Sequence, residues 1–181
     1  MLLGTLSTDE IKLAVKIGLN EANNKNTVPT TITPAALEFL AKLSEGYPHF
    51  VQQFSYCAFE HDTNNEIGED DVRAGALGEG GAISQLGDKF FSEMYHARIL
   101  SQDYRRVLDA MAKHGQEWVT KKQIIRESGV SEANVTNALQ ALKGKDVIIQ
   151  DETRRGIYKL PTAAFATWIN ALQASRAKNG K

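Results

Sequence analysis

Between Trp118 and Leu172 the chain is punctuated so regularly that few folds fit it. Trp118-Val119 reads as a short extended piece, and Thr120 is placed to cap a short helix that stops at Gly129. Ser131 is placed to cap a second helix, 132–143, that stops at Gly144. The physical basis is local: Ser and Thr oxygens accept from the free N–H groups that begin a helix, and glycine takes the left-handed turn that ends one. Val147-Ile148-Ile149-Gln150 and Gly156-Ile157-Tyr158-Lys159-Leu160 are β-type runs on either side of the polar Asp151-Glu152-Thr153-Arg154-Arg155, which is a hairpin pattern. Pro161-Thr162 then opens a last helix carrying Phe165, Trp168, Ile169 and Leu172. Upstream, Ser101 is expected to cap a helix in which Tyr104, Val107, Leu108 and Met111 are spaced for burial and Gly115 is the stop. Helix, helix, short turn, helix and hairpin, in that order, predict a winged helix-turn-helix domain with a β-hairpin wing.

The first half is read in the same way. Ser7 and Glu10 stand at capping-box spacing, and Ile11, Val15, Ile17 and Leu19 continue a helix of about fifteen residues that fades into the Asn-rich stretch 20–27. Thr33-Pro34 restarts a helix whose buried face is Leu37, Leu40, Ala41 and Leu43. Pro48 begins another, apolar at Phe50, Val51, Phe54, Ala58 and Phe59, which closes in a polar turn at 61–66. A short acidic helix, 69–77, follows Ile67. Glycines 75, 78, 80, 81 and 87 then mark 75–87 as the expected linker, because glycine leaves the backbone with little reason to stay ordered. Beyond it, 88–100 reads as a helix with Phe90, Phe91, Met94, Tyr95 and Ile99 on its apolar side. The expected architecture is mainly α: a small helical domain at 1–80, a linker and connecting helix at 81–100, and the winged helix-turn-helix domain at 101–181.

A formal net charge of −1 hides a division. Up to Gly80 there are five basic residues against twelve acidic ones, a net of −7; from Gly81 onward there are sixteen against ten, a net of +6. Near-neutrality is therefore a cancellation between two modules, and only the second has the sign to meet a polyanion.

Within that module, 100° per residue puts Val135, Ala138, Leu139 and Leu142 on the buried stripe of the second helix, leaving Ala133, Asn134, Thr136, Asn137 and Gln140 outward. Asn and Gln can pair bidentately with adenine edges, and Thr can touch a thymine methyl or a phosphate. Lys121 and Lys122 begin the preceding helix, where such proteins meet the backbone, and Arg154 and Arg155 lie at the hairpin tip, placed for a phosphate or the minor groove. Double-stranded DNA is the expected partner. The same residues also suit a solvated face, a turn that resists edge pairing, or a protein-contact surface, and Glu132 at the helix start would repel a phosphate.

Several chemistries find no pattern here. There is no phosphate-loop motif; Gly78-Glu79-Gly80-Gly81 lacks the lysine and the preceding strand. His49, His61, His96 and His114 are scattered without metal-ligand spacing, a single Cys57 completes no zinc set, and no nucleophile elbow is present. Glu69-Asp70-Asp71 suits a helix N-terminus better than a metal. The chain is expected to hold no metal or cofactor and to catalyse nothing. Cys57 among apolar neighbours reads as a small buried hydrophobe, and one cysteine with no signal peptide and no membrane span leads to a reducing, cytoplasmic compartment as the expectation. The apolar first six residues, running straight into a capped helix, are expected of a piece cut from a longer chain.

Leu43-Ser44-Glu45-Gly46-Tyr47-Pro48-His49-Phe50-Val51-Gln52, followed by Ile67-Gly68-Glu69-Asp70-Asp71-Val72, resembles the lid domain of AAA+ ATPases of the origin-recognition type and their bacterial and archaeal relatives. In that family the Gly-x-Pro segment opens the helix that carries a nucleotide-sensing residue, and a winged helix commonly follows the lid. The resemblance implies a parent protein that binds and hydrolyses ATP with Mg in an upstream core of the same chain. It implies that Gly46 and Pro48 shape the lid near the nucleotide and that His49 points towards the phosphates. An arginine is frequent in the family at this position; it is permanently charged and forks onto phosphate, whereas histidine is mostly neutral near pH 7. His49 as an ordinary residue of a helix N-terminus stays open beside it. The leading expectation is thus the C-terminal lid plus winged-helix region of an ATP-dependent DNA-binding regulator. The alternative is a winged-helix interaction module that packs on a partner protein or on the ATPase core and transmits nucleotide state without touching DNA.

Overall fold

The computed structural model describes residues 5–179 and divides the chain into two units, Met1–Leu86 and Gly87–Lys181. Residues 81–86 carry no charge, so the division of −7 from +6 falls on this structural boundary.

In the first unit, α1 (Thr8–Asn23) opens with a complete capping box: Ser7 Oγ accepts from Glu10 N–H, and the Glu10 carboxylate accepts from Ser7 N–H at 2.8 Å. Ile11 and Val15 are its buried residues, while Leu13 and Ile17 face out. The Asn23 side chain donates to the Thr30 carbonyl and accepts from its N–H, both at 2.8 Å, so an asparagine closes the loop that asparagine-rich composition marked. Beyond the loop, β1 (Thr31–Ile32) pairs in parallel with β2 (Glu66–Ile67), Thr31 opposite Glu66 and Ile32 opposite Ile67. Sequence reading gave no strand at either place; two residues are too few to show a period of two.

Thr33 Oγ1 accepts from Ala36 N–H at 3.2 Å and starts α2 (Pro34–Ser44), whose Leu37, Leu40 and Ala41 are buried and whose Leu43 is half-buried. Pro48 starts α3 (Pro48–His61), with Phe50, Val51, Phe54, Cys57 and Ala58 buried. The Asp71 carboxylate accepts from Gly68 N–H at 2.8 Å at the start of α4 (Glu69–Leu77), and α5 (Ala82–Leu86) ends the unit.

The glycine-rich stretch is not a loose linker. Gly75 lies buried inside α4, where a Cβ would stand 2.6 Å from the carbonyl carbon and oxygen of Cys57, so α3 and α4 cross backbone against backbone. A Cβ at Gly81 would stand 2.6 Å from the Gly75 carbonyl oxygen. These two glycines are present for closeness rather than freedom, and the chain that follows them is helical at 82–86.

The second unit begins with two π-helical turns, Gly87–Phe91 and Met94–Arg98. A wider i→i+5 turn brings every fourth residue back to nearly one face, which is where Phe91, Tyr95 and Ile99 are buried. Phe90 is exposed and Met94 half-buried, contrary to the apolar side expected of a plain α-helix. Phe91 packs on Phe165 and Trp168 with ring centroids 5.0 and 5.9 Å apart, and Gly87 leaves the space that the Trp168 indole fills. Next comes α6 (Gln102–Ala112), with Val107, Leu108 and Met111 buried and Tyr104 half-buried. Ser101 stands at its N-cap position but makes no side-chain capping bond there.

Then follow β3 (Val119–Thr120), α7 (Lys121–Ser128), α8 (Glu132–Gly144), β4 (Ile149–Gln150), β5 (Ile157–Lys159) and α9 (Ala163–Asn179). Thr120 and Ser131 cap α7 and α8 through their side chains, and Gly129 takes φ +65° after α7. β4 and β5 pair antiparallel, Ile149 with Lys159 and Gln150 with Tyr158. β3 adds to the other edge of β5, Val119 with Tyr158 and Thr120 with Ile157, so the sheet order is β3-β5-β4. α6 sits centrally, packing on α7, α8 and α9. The molecule is mainly helical with small sheets, and no helix among the described residues is long and apolar enough to cross a membrane.

Candidate functional site

The inward face of α8 is Val135, Ala138, Leu139 and Leu142, all at most 2% exposed, so Ala133, Asn134, Thr136, Asn137 and Gln140 stand in solvent on the opposite side. Their side chains are not equivalent. Asn134 Nδ2 donates to Asp103 Oδ2 at 2.7 Å, reaching back to α6, and Thr136 Oγ1 donates to the Glu132 carbonyl at 2.7 Å. Lys121 Nζ lies 3.2 Å from Glu132 Oε1. Lys122, Asn137 and Gln140 are exposed with no side-chain partner among the described residues.

At the hairpin turn Asp151 organises the backbone. Its carboxylate accepts from Thr153 N–H and Oγ1 at 2.9 and 2.8 Å, from Arg154 N–H at 2.9 Å and from Arg154 Nε at 2.7 Å. The Arg154 guanidinium, then the Thr153 hydroxyl, hold this carboxyl well below the usual carboxylate range. Arg154 is thereby fixed in place, while Arg155 beside it is exposed and makes no ion pair among the described residues. One step beyond the Val119–Tyr158 pair, the Trp118 indole meets Lys159, whose Nζ lies 4.8 Å from the ring centroid; the Arg154 guanidinium lies 5.9 Å from it. The sequence marked Trp118 and Lys159 only as parts of extended runs and not as candidate site residues. Only the strand register joins them, and no local signal carries that.

Between α6 and α7 the His114 ring lies 2.7 Å from Glu127 Oε2, and Arg126 lies 3.1 Å from Oε1 of the same carboxylate. The bond to His114, then that to Arg126, lowers the Glu127 pKa.

In the first unit, Gly46 has φ +82° and its carbonyl accepts from Leu6 N–H at 2.7 Å. A Cβ at Gly46 would stand 2.8 Å from the Leu6 carbonyl oxygen, so both conformation and space require glycine. Pro48 and His49 follow in the first turn of α3, where His49 is exposed with its ring edge-on to Phe50, 4.5 Å between centroids. Tyr47 occupies the N-cap position without a side-chain cap. Gly46, Pro48 and His49 thus come together at one helix end. Among the described residues no three His, Cys, Asp or Glu side chains gather as metal ligands.

No family model matches the sequence, and no curated protein matches it. Among solved structures, a Walker-type ATPase of Pyrococcus abyssi superposes on 92% of this chain with a TM-score of 0.61, at 18% identity. The fold is shared with part of a Walker-type ATPase. The chain spans 42% of that ATPase's length. The RuvB Holliday junction branch migration motor of Thermotoga maritima matches over 96% of this chain and 50% of its own, with a TM-score of 0.41 and 16% identity. The likeness to the Pyrococcus abyssi ATPase is one of fold.

Proposed function

We propose that this chain is the C-terminal lid and winged-helix region of an AAA+ ATPase of the origin-recognition type, with ATP and Mg held by an upstream core and DNA contacted by the second unit. The observation that carries the reading is the second unit itself: α6, α7 and α8 around the β3-β5-β4 sheet, with a hairpin turn bearing two arginines, in the half of the chain with net charge +6. That order supports a winged-helix reading, in which α8 enters the major groove and the β4–β5 turn meets the backbone. Asn137 and Gln140 are the free base-reading side chains of α8, and Lys122 and Arg155 the free phosphate ligands. In the first unit the support is the Gly46–Pro48 turn opening α3 with His49 exposed, as in a lid that closes over a nucleotide.

The interaction-module reading has one observation of its own. Glu132 and Asp103 already engage Lys121 and Asn134, so carboxylates share the face that a duplex would approach.

Fluorescence anisotropy with a mixed-sequence duplex separates the two. A DNA-binding unit loses affinity with salt at a log–log slope of about −0.9 per phosphate contact. Arg155→Ala is expected to weaken binding and reduce the slope by about one, and Arg154→Ala, Arg155→Ala together by about one to two. Absence of binding at low salt, or unchanged binding by the double variant, would leave the interaction module.

A further inference from the structure

We infer that Trp118 is a stacking platform for an unpaired nucleobase, so that the second unit engages DNA where a strand leaves the duplex. The inference deepens the DNA reading above and rests on it. On α8 the means to read an intact duplex are thin: Asn134 is held by Asp103, Thr136 by its own helix backbone and Lys121 by Glu132. The two carboxylates on that face repel phosphate. At the wing the composition is reversed. Trp118 keeps 39% of its surface in solvent, against 6% for Trp168, the other tryptophan of the chain. An exposed indole of this size is the kind of exposure that calls for a reason.

Its surroundings supply one. Lys159 Nζ and the Arg154 guanidinium lie over the ring, 4.8 and 5.9 Å from its centroid, and Arg155 extends the same turn. Asp151 fixes Arg154, so one cation beside the ring is already in position before any ligand arrives. An aromatic face among cations is how proteins hold single strands: the base stacks on the ring, tolerant of sequence because every base has a π-face, and the cations take the phosphates. A paired base inside a duplex offers no free face to the indole, which is why the platform selects a strand end, a tail or a fork.

The test uses the whole chain and two readouts, tryptophan fluorescence and the anisotropy of a labelled oligonucleotide. The probes are a thymidine oligonucleotide of about fifteen nucleotides, a blunt duplex, and the same duplex with a single-stranded tail. Expected are quenching of Trp118 by the oligonucleotide, with buried Trp168 as the unquenched reference, and roughly tenfold tighter binding of the tailed duplex than of the blunt one. Trp118→Ala loses both the quenching and the preference, and Trp118→Phe, which keeps a ring in place, retains part of the preference. Should Trp118→Ala not fold, the wild-type quenching and the Phe variant decide. If DNA binds with unchanged fluorescence and Trp118→Ala discriminates between tailed and blunt duplex as the wild type does, the platform is overturned and the DNA reading survives. If none of the three probes binds at low salt, the DNA reading falls and takes the platform with it.

Discussion

Tyr95 has none of its surface in solvent, and its hydroxyl donates to Asp109 Oδ1 at 2.9 Å. Guanidinium groups of Arg105 and Arg176 each lie 5.7 Å from its ring centroid. Burial first, then the Asp109 charge, pushes the phenol up to about 12, and burial also raises the Asp109 carboxyl. Because the folded state holds the Tyr95 proton more tightly than the unfolded chain, this group's contribution is complete below about pH 10 and is lost as pH rises from there towards 12. Tyr95→Phe is expected to cost about 1–2 kcal/mol at neutral pH, since Asp109 loses a donor, and to flatten the alkaline fall. Thermal melts at neutral and alkaline pH check both. At this scale the sequence was legible for orientation and not for engagement. The outward set on α8 follows from helical geometry, but that Asn134 is spent on Asp103 depends on a residue 31 positions away. Trp118 and Lys159 escaped for the same reason.

Elements were legible wherever a local rule governs them. The capping box of α1, the Thr120 and Thr33 caps and the Gly129 turn were all readable, because a side-chain oxygen three residues from its N–H, or a positive φ, is specified by neighbours in sequence. The glycine-rich stretch was misread because composition does not distinguish a glycine needed for freedom from one needed for space. Gly75→Ala is expected to destabilise the first unit by about 1–3 kcal/mol as the Cβ forces α3 and α4 apart. Gly18→Ala is the control: it lies inside α1 with nothing within 4 Å of a new Cβ, and is expected to stabilise by about 0.5–1 kcal/mol. Denaturant melts of the two variants should move in opposite directions; equal shifts would remove the packing explanation.

Over the whole molecule, the boundary at Leu86 and Gly87 separates an acidic unit from a basic one, so only the second has a net charge of the sign that attracts a polyanion. The lid role proposed for the first unit has a test of its own. In a chain that includes the nucleotide-binding core, His49→Ala is expected to weaken ATP affinity about fivefold, or ~1 kcal/mol. An unaltered affinity would leave His49 as an ordinary helix-end residue. The helices on either side of 82–100, the caps at Ser7, Thr33, Thr120 and Ser131, the hairpin, the inward face of α8 and the charge division were determined by the sequence alone, because each depends on groups within a few residues of one another or on simple counting. Tertiary structure decided the parallel β1–β2 pair, the closeness at Gly75, the quenching of Asn134 and Lys121 by carboxylates, and the meeting of Trp118 with Lys159. Each of these joins groups distant along the chain, and only the packed fold brings them together.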